Sequence, residues 1–155
     1  MFIGAIALFI AGLDRLTKLW AVRQLKGKGE ILVLGNFFQL VYVENRGVAF
    51  GLFSKLNFLL PVLTLVLIAL LIVMARKYKK KGKRAFIPLA FIIGGAVGNL
   101  IDRLTTGYVV DFFSFNFGNY HFPVFNVADI FVTLGTFFLL IFFLQEEGAP
   151  SVKDI

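Results

Sequence analysis

The chain has no cysteine and a single histidine, His121. The first absence excludes disulfides and thiolate nucleophiles or ligands. The second excludes a multi-histidine metal centre. No serine stands in a nucleophile motif, so covalent catalysis has poor candidates. Acidic residues are scarce, 9 against 16 Lys and Arg. There is no internal repeat. The start shows neither the basic residues nor the small-residue cleavage site of a removable signal peptide, so the first apolar stretch is expected to remain as a helix.

What is present is apolar. Of the 155 residues 59% are hydrophobic, and 20 are Phe. An ordinary soluble domain holds about 45–50% apolar residues. The natural solvent for such a chain is a bilayer. The expected fold is one α-helical integral membrane domain over 1–155, with four transmembrane helices at about 1–22, 57–75, 85–104 and 125–144. The 57–75 stretch, with Pro61 in its first turn, is long enough for about 27 Å of rise, close to a hydrocarbon core.

Seven of the sixteen basic residues fall in Arg76–Arg84. Beside apolar helices this run reads as a cytoplasmic loop held by anionic lipid, not as a nucleic-acid patch. Four spans then put both termini on the cytoplasmic side and the loops 23–56 and 105–123 outside. Ile31–Leu34 and Phe37–Val43 are β-favouring runs around Gly35-Asn36, a hairpin signal, and Gly118-Asn119 is a second. Val109–Phe117 alternates, with Asp111, Phe113, Phe115 and Phe117 on one side if extended.

Tracing depths along these spans brings the polar residues to one layer, just inside the outer interface. Asp14 and Lys18 lie four apart in the outer half of the first helix. Asn99, Asp102 and Arg103 end the third, at i, i+3 and i+4, on a face that lipid would reject. Asn126 caps the fourth, with Asp129 one turn in. Asn45 and Asp111 sit on the two outer loops, and Gly47 makes a turn with Asn45. Gly94 and Gly98, beside Gly95, form a G-x-x-x-G pair that admits a close helix neighbour.

Two carboxylates brought together in low dielectric cannot both ionise comfortably. One keeps a proton while the other takes a proton from an attacking water. Asp14, Asp102, Asp111 and Asp129 compete for these roles. Asp14 has Arg15 and Lys18 near it, and Asp102 adjoins Arg103, which suggests paired structural parts. Asp111 and Asp129 have no cation within four positions. The residues alone leave the choice open. They also leave two other classes open: a transporter or ion-binding protein with the same layer as a path, and a non-enzymatic assembly subunit. Against a path, the cytoplasmic halves of the helices lack polar residues.

Five motifs stand in order between the spans: DRLTK at 14–18, ENRGVAFG at 44–51, GGAVGNLIDR at 94–103, VVDFF at 109–113 and FNVAD at 125–129. With them the sequence resembles the lipoprotein signal peptidase (type II signal peptidase) family over nearly its whole length. The resemblance implies an aspartic endopeptidase of the bacterial cytoplasmic (inner) membrane. Such enzymes remove signal peptides from prolipoproteins, cutting just before a diacylglyceryl-modified cysteine. Asp111 and Asp129 match the catalytic aspartates, and Asp14, Asn45, Asn99, Arg103 and Asn126 match site-lining positions. Lys18, Gly47, Gly94, Gly95, Gly98 and Asp102 are expected to be structural. The resemblance further implies a small β-cradle on the outer face, suiting 31–53, and a monomer in contact with membrane lipid. It implies no metal, no other cofactor and no nucleic acid, and inhibition by cyclic peptides of the globomycin type. The Phe-rich 112–117 segment is expected to close over acyl chains, with Asp111 on a loop that moves against a fixed Asp129.

Overall fold

The computed structural model describes residues 2–47, 58–78 and 83–147. Residue 1, residues 48–57, residues 79–82 within the basic run, and the tail from 148 lie outside the described residues. Four long helices and a small sheet make up the rest: α1 Phe2–Leu25, β1 Ile31–Leu34, β2 Phe38–Asn45, α2 Leu59–Lys77, α3 Lys83–Thr105, β3 Val109–Phe117, β4 Tyr120–His121 and α4 Val127–Glu147. Gln145–Glu147, expected to begin a polar tail, still belong to α4.

Among the described residues, three stretches are long and apolar enough to cross a membrane: Leu59–Lys77, Arg84–Thr106 and Val127–Glu146. The 24 residues of α1 are long enough too, but its second half holds Asp14, Arg15, Lys18 and Arg23. Asp14 and Lys18 are turned inward, at 0% and 1% exposure. Pro61 falls in the first turn of α2, where its missing N–H costs no hydrogen bond. The outer faces of α2 and α4 leave Leu63, Val66, Leu70, Phe137 and Leu144 exposed, as a lipid-facing surface would.

The central helix is α3, with α1, α2 and α4 all packed on it. Glycine makes this possible. A Cβ on Gly94 would stand 2.8 Å from Ile10 Cβ and 2.9 Å from the Ala7 carbonyl oxygen. One on Gly95 would collide with the Ala128 carbonyl of α4. The G-x-x-x-G pair therefore serves α1, and the odd glycine between serves α4. Ala7, Leu71, Ala75, Leu89, Ile92 and Ile93 form one core where α1, α2 and α3 meet. A second core, of Ala21, Leu25, Val110, Phe112 and Val127, fastens the sheet to the ends of α1 and α4.

The sheet is antiparallel in the order β1-β2-β3-β4. Phe37 N–H donates to Leu34 O at 3.1 Å, closing the turn around Gly35-Asn36, where Gly35 has φ +50°. Gly118, φ +63°, opens the β3–β4 turn. Both are backbone positions that a Cβ would strain.

One expectation is corrected here. Residues 112–117 are not a free lid, and Asp111 is not on a loop. Asp111 lies within β3, an inner strand of the sheet. On one side β3 pairs with β2. On the other, Phe112 and Phe113 N–H groups both donate to Phe125 O, at 3.0 and 2.9 Å, and β4 follows. The alternating Val-Phe run is a good strand, and the flanking turns give it partners on both edges. A segment bonded on both sides and buried at Phe112 does not lift independently.

Candidate active site

The register of β2 on β3 places Val43 opposite Asp111 and Asn45 opposite Val109. Side chains alternate along a strand, so Asn45, two beyond Val43, shares the face of Asp111. Its Nδ2 donates to Asp111 Oδ2 at 2.8 Å, while its Oδ1 accepts Gly47 N–H at 2.9 Å. Gly47 O in turn accepts from Arg103 Nη2 at 3.2 Å. Arg103, at the end of α3, is thus fixed beside the carboxylates.

The start of α4 is built by reciprocal capping. Asn126 Oδ1 accepts Asp129 N–H at 3.0 Å, and Asp129 Oδ2 accepts Asn126 N–H at 3.2 Å. Asp14 Oδ1, from α1, accepts Ala128 N–H at 2.8 Å. Orphan N–H groups of the helix end are thereby satisfied without water. Asn126, fully buried, also sends its Nδ2 to Asp111 Oδ1 at 2.6 Å and to Asn99 Oδ1 at 3.1 Å. Asn99 Nδ2 donates to Asp129 Oδ1 at 2.8 Å. Every oxygen of Asp111 and Asp129 therefore receives one N–H from an amide or the backbone.

The other two buried carboxylates are held differently. Lys18 Nζ lies 2.7 Å from Asp14 Oδ2 and 3.0 Å from Asp102 Oδ2, and it donates to Asn99 Oδ1 at 2.8 Å. Arg15 Nη1 pairs with Asp102 Oδ1 at 3.0 Å. Val110 N–H reaches Asp102 Oδ2 at 3.3 Å, so Asp102 ties α1, α3 and β3 together. Asp14 pairs with Lys18 as expected, but the partner of Asp102 differs from the expectation. Asp102 pairs with Arg15 and Lys18 of α1, not with Arg103, and Arg15 serves Asp102 rather than its neighbour Asp14. Adjacent helix positions diverge by about 100°, so Asp102 and Arg103 face different neighbours.

A cavity of ≈ 620 Å³ opens beside the pair. Asn45, Asn99, Arg103, Asp111 and Asp129 form its polar wall. The rest is apolar, with Val109, Phe122, Pro123, Val124, Phe125, Ile130, Val132 and Leu134 around Thr133. Asp111 is 2% exposed. Burial, and then the charge of nearby Asp129, push its carboxyl up to about 7, against the hydrogen bonds from Asn45 and Asn126. Among the described residues no group of three or more His, Cys, Asp and Glu is arranged to hold a metal.

A profile described as signal peptidase (SPase) II matches residues 6–145. The lipoprotein signal peptidases of Clostridium acetobutylicum and Clostridium tetani are each 47% identical to this chain. The matches cover 90% and 91% of it, and 92% and 91% of theirs. The chain belongs to the signal peptidase II family. The relative from Listeria welshimeri is 36% identical over 155 residues, 99% of this chain and 100% of its own. A bacterial membrane enzyme solved by the in meso method at 2.3 Å resolution superposes with a TM-score of 0.86 at 27% identity, covering 99% of this chain and 94% of that one. As a signal peptidase II family member, the protein is an aspartic-type peptidase of a bacterial membrane.

Within that signal peptidase fold, one hydrogen-bonded network joins Asp14, Lys18, Asn45, Asn99, Asp102, Asp111, Asn126 and Asp129, and reaches Arg103 through Gly47. Gly98 backs it: a Cβ there would meet Asp14 Oδ2 at 2.6 Å. The sequence reading missed the apolar cavity wall of Phe122, Phe125, Ile130 and Thr133. The spacing of Ile130, Thr133 and Leu134, on one helix face below Asp129, was the available signal.

Proposed function

We propose that Asp111 and Asp129 are the catalytic pair of a prolipoprotein signal peptidase. The scissile bond precedes a diacylglyceryl-modified cysteine. Asp129, half-exposed at the cavity wall, takes a proton from water as the water attacks the scissile carbonyl carbon. Asp111 gives its proton to the carbonyl oxygen. The tetrahedral diol then collapses: Asp129 gives its proton to the cysteine nitrogen, which leaves as an amine, while Asp111 takes a proton back from a diol hydroxyl, so that a carboxylic acid and an amine are released and the pair is restored. Arg103 hydrogen-bonds substrate carbonyls, while Asn45, Asn99 and Asn126 hold the pair in place.

The single observation behind this reading is how the two carboxylates are bonded. Each accepts only N–H donors that carry no charge, at the wall of a largely apolar cavity. No partner there blocks uptake or release of a proton. The names of the relatives support a lipoprotein substrate. Such a substrate arrives with its acyl chains in lipid, which suits the apolar wall.

In this reading α1 is a fourth span, its charges satisfied inward on α3. Both termini face the cytoplasm with the 76–84 run, and the pair lies near the outer face of the inner membrane. The protein acts as a monomer in contact with membrane lipid. Cyclic peptides of the globomycin type occupy the same cavity. The test uses purified protein with a diacylglyceryl-modified prolipoprotein. Asp111→Asn and Asp129→Asn should each lose cleavage by about a thousandfold or more while remaining folded. Near-parental cleavage by either one overturns the pair.

A further inference from the structure

Lys18 does not line the cavity and touches neither carboxylate of the proposed pair. Its position is nonetheless unusual. The side chain is 1% exposed, and its ammonium has three acceptors around it: Asp14 Oδ2, Asp102 Oδ2 and Asn99 Oδ1. An ammonium has three donors and no acceptor; this one hydrogen-bonds the Asn99 oxygen and pairs by charge with the two carboxylates. Two carboxylates would suffice for its charge. The third contact, to a neutral amide, has a different consequence.

An asparagine amide is nearly symmetric in shape but not in chemistry. One end accepts, the other donates, and a half-turn about the last torsion exchanges them. Asn99 bridges Lys18 and Asp129. Because Lys18 can only donate, Asn99 must turn its oxygen to Lys18, and its NH2 is then delivered to Asp129 Oδ1 at 2.8 Å. The same oxygen accepts Asn126 Nδ2 at 3.1 Å, whose other contact is Asp111 Oδ1. The other amides have locks of their own. The Asn126 oxygen is held by Asp129 N–H and that of Asn45 by Gly47 N–H. Asn99 alone is locked by a side-chain cation.

From this geometry we infer that Lys18 is a positioning residue for the reaction. Its ammonium fixes the sense of the Asn99 amide and so keeps an N–H donor on Asp129. The inference rests on the catalytic pair proposed above. The charged groups nearest that pair are Lys18 from α1 and Arg103 from α3, with Asp14 and Asp102 on the far side of Lys18. On β2, Glu44 turns instead to Lys26 and Arg46. Lys18 is the cation that bonds to an amide touching the pair directly.

The test is the pH–rate profile of the full-length enzyme on a diacylglyceryl prolipoprotein, run beside Asp129→Asn. In Lys18→Met, the Asn99 oxygen keeps only the weaker Asn126 Nδ2 donor, so the sense of the amide is less firmly set, and a nearby positive charge is gone. Turnover should fall by about a hundredfold, as for other small misplacements of reacting groups. KM should stay within about twofold, and the acidic limb should move up by about one pH unit. An unmoved limb overturns the inference. Lys18→Met also leaves two buried carboxylates short of a cation and can fail to fold. The charge-balanced Lys18→Met/Asp102→Asn variant covers that case. If Lys18 serves only charge balance, the double variant regains turnover and the inference is wrong; if it positions Asn99, the loss persists. Should neither fold, Asn99→Ala with Lys18 intact decides, since it must reproduce the same fall and limb shift, and an unmoved limb again refutes the inference. Normal cleavage by Asp129→Asn would instead refute the catalytic pair, whatever Lys18 does.

Discussion

Two pairs of carboxylates share one network, and the molecule treats them in opposite ways. Asp14 and Asp102 are held by cations, Lys18 between them and Arg15 at the edge. Asp111 and Asp129 are held by amides and backbone N–H groups alone. A cation bonded to a carboxylate spends that carboxylate's bonding on structure. Neutral N–H donors orient a carboxylate without compensating its charge. The first pair therefore serves as a fastening between α1, α3 and β3. The second keeps the freedom to exchange protons. The same residue type thus reads as structural or chemical by its neighbours, not by its burial.

The largest expected effect comes from crossing that line in the amide-held pair. Asp129→Asn should cut cleavage by about a thousandfold or more, with stability lowered only by the one N–H donor that then faces its NH2, about 1–3 kcal/mol. Asp102→Asn should do the reverse. It leaves Arg15 and Lys18 facing a neutral amide, and breaking a buried ion pair costs about 3–5 kcal/mol. Lys18 keeps Asp14, so the lower end applies. Thermal unfolding in detergent and the turnover of the folded fraction separate the two outcomes. A stable but inactive Asp102→Asn would mean that the two pairs had been assigned the wrong way round.

The next effect tests the fastening through backbone. Gly95→Ala places a methyl against the Ala128 carbonyl and within 2.8 Å of Val132 Cγ2. Overpacking of this kind costs about 1–3 kcal/mol. Because Ala128 adjoins Asp129, activity should fall with stability. Gly107→Ala, where a Cβ meets nothing within 4 Å but φ is +79°, is the contrast: strain in a turn, without pressure on α4. Equal loss of activity in both would show that α4 is not sensitive to its seat on α3.

Much of this arrangement is legible in the sequence, and the missing parts share one cause. Four helices follow from long apolar runs, and the common depth of Asp14, Asn99, Asp111 and Asp129 follows from counting along them. The Asn126–Asp129 cap is local, three residues apart, and so readable. The link from Arg15 to Asp102 spans 87 residues, and that from Lys18 to Asn99 spans 81. Helix periodicity says which residues share a face, but not which face meets which neighbour. For Asp111 the alternation of 109–117 was visible. Its status as an inner strand depended on β2 and Phe125 coming to either side, which no local pattern encodes. That is why a strand was taken for a moving loop.

The smallest effect at neutral pH, and the finest test of the contrast, is titration of Asp111 itself. Its carboxyl is raised from 3.8 to about 7, first by burial and then by Asp129. As the proton donor it must be protonated, so cleavage should be halved near that pH and fall about tenfold per unit above it. Stability carries the same sign. Between 3.8 and about 7 the native state binds more protons than the unfolded chain. The contribution of Asp111 to stability is therefore complete below the lower value and is lost as pH rises through the upper one. Asp111→Asn should flatten that decline, whatever constant penalty it adds by setting an NH2 against the donors of Asn45 and Asn126. The measurement is the difference in melting temperature between variant and parent at about pH 5 and about pH 8. The variant should gain on its parent as pH rises. A difference that stays constant would show that Asp111 does not change protonation over this range and would remove it as the donor.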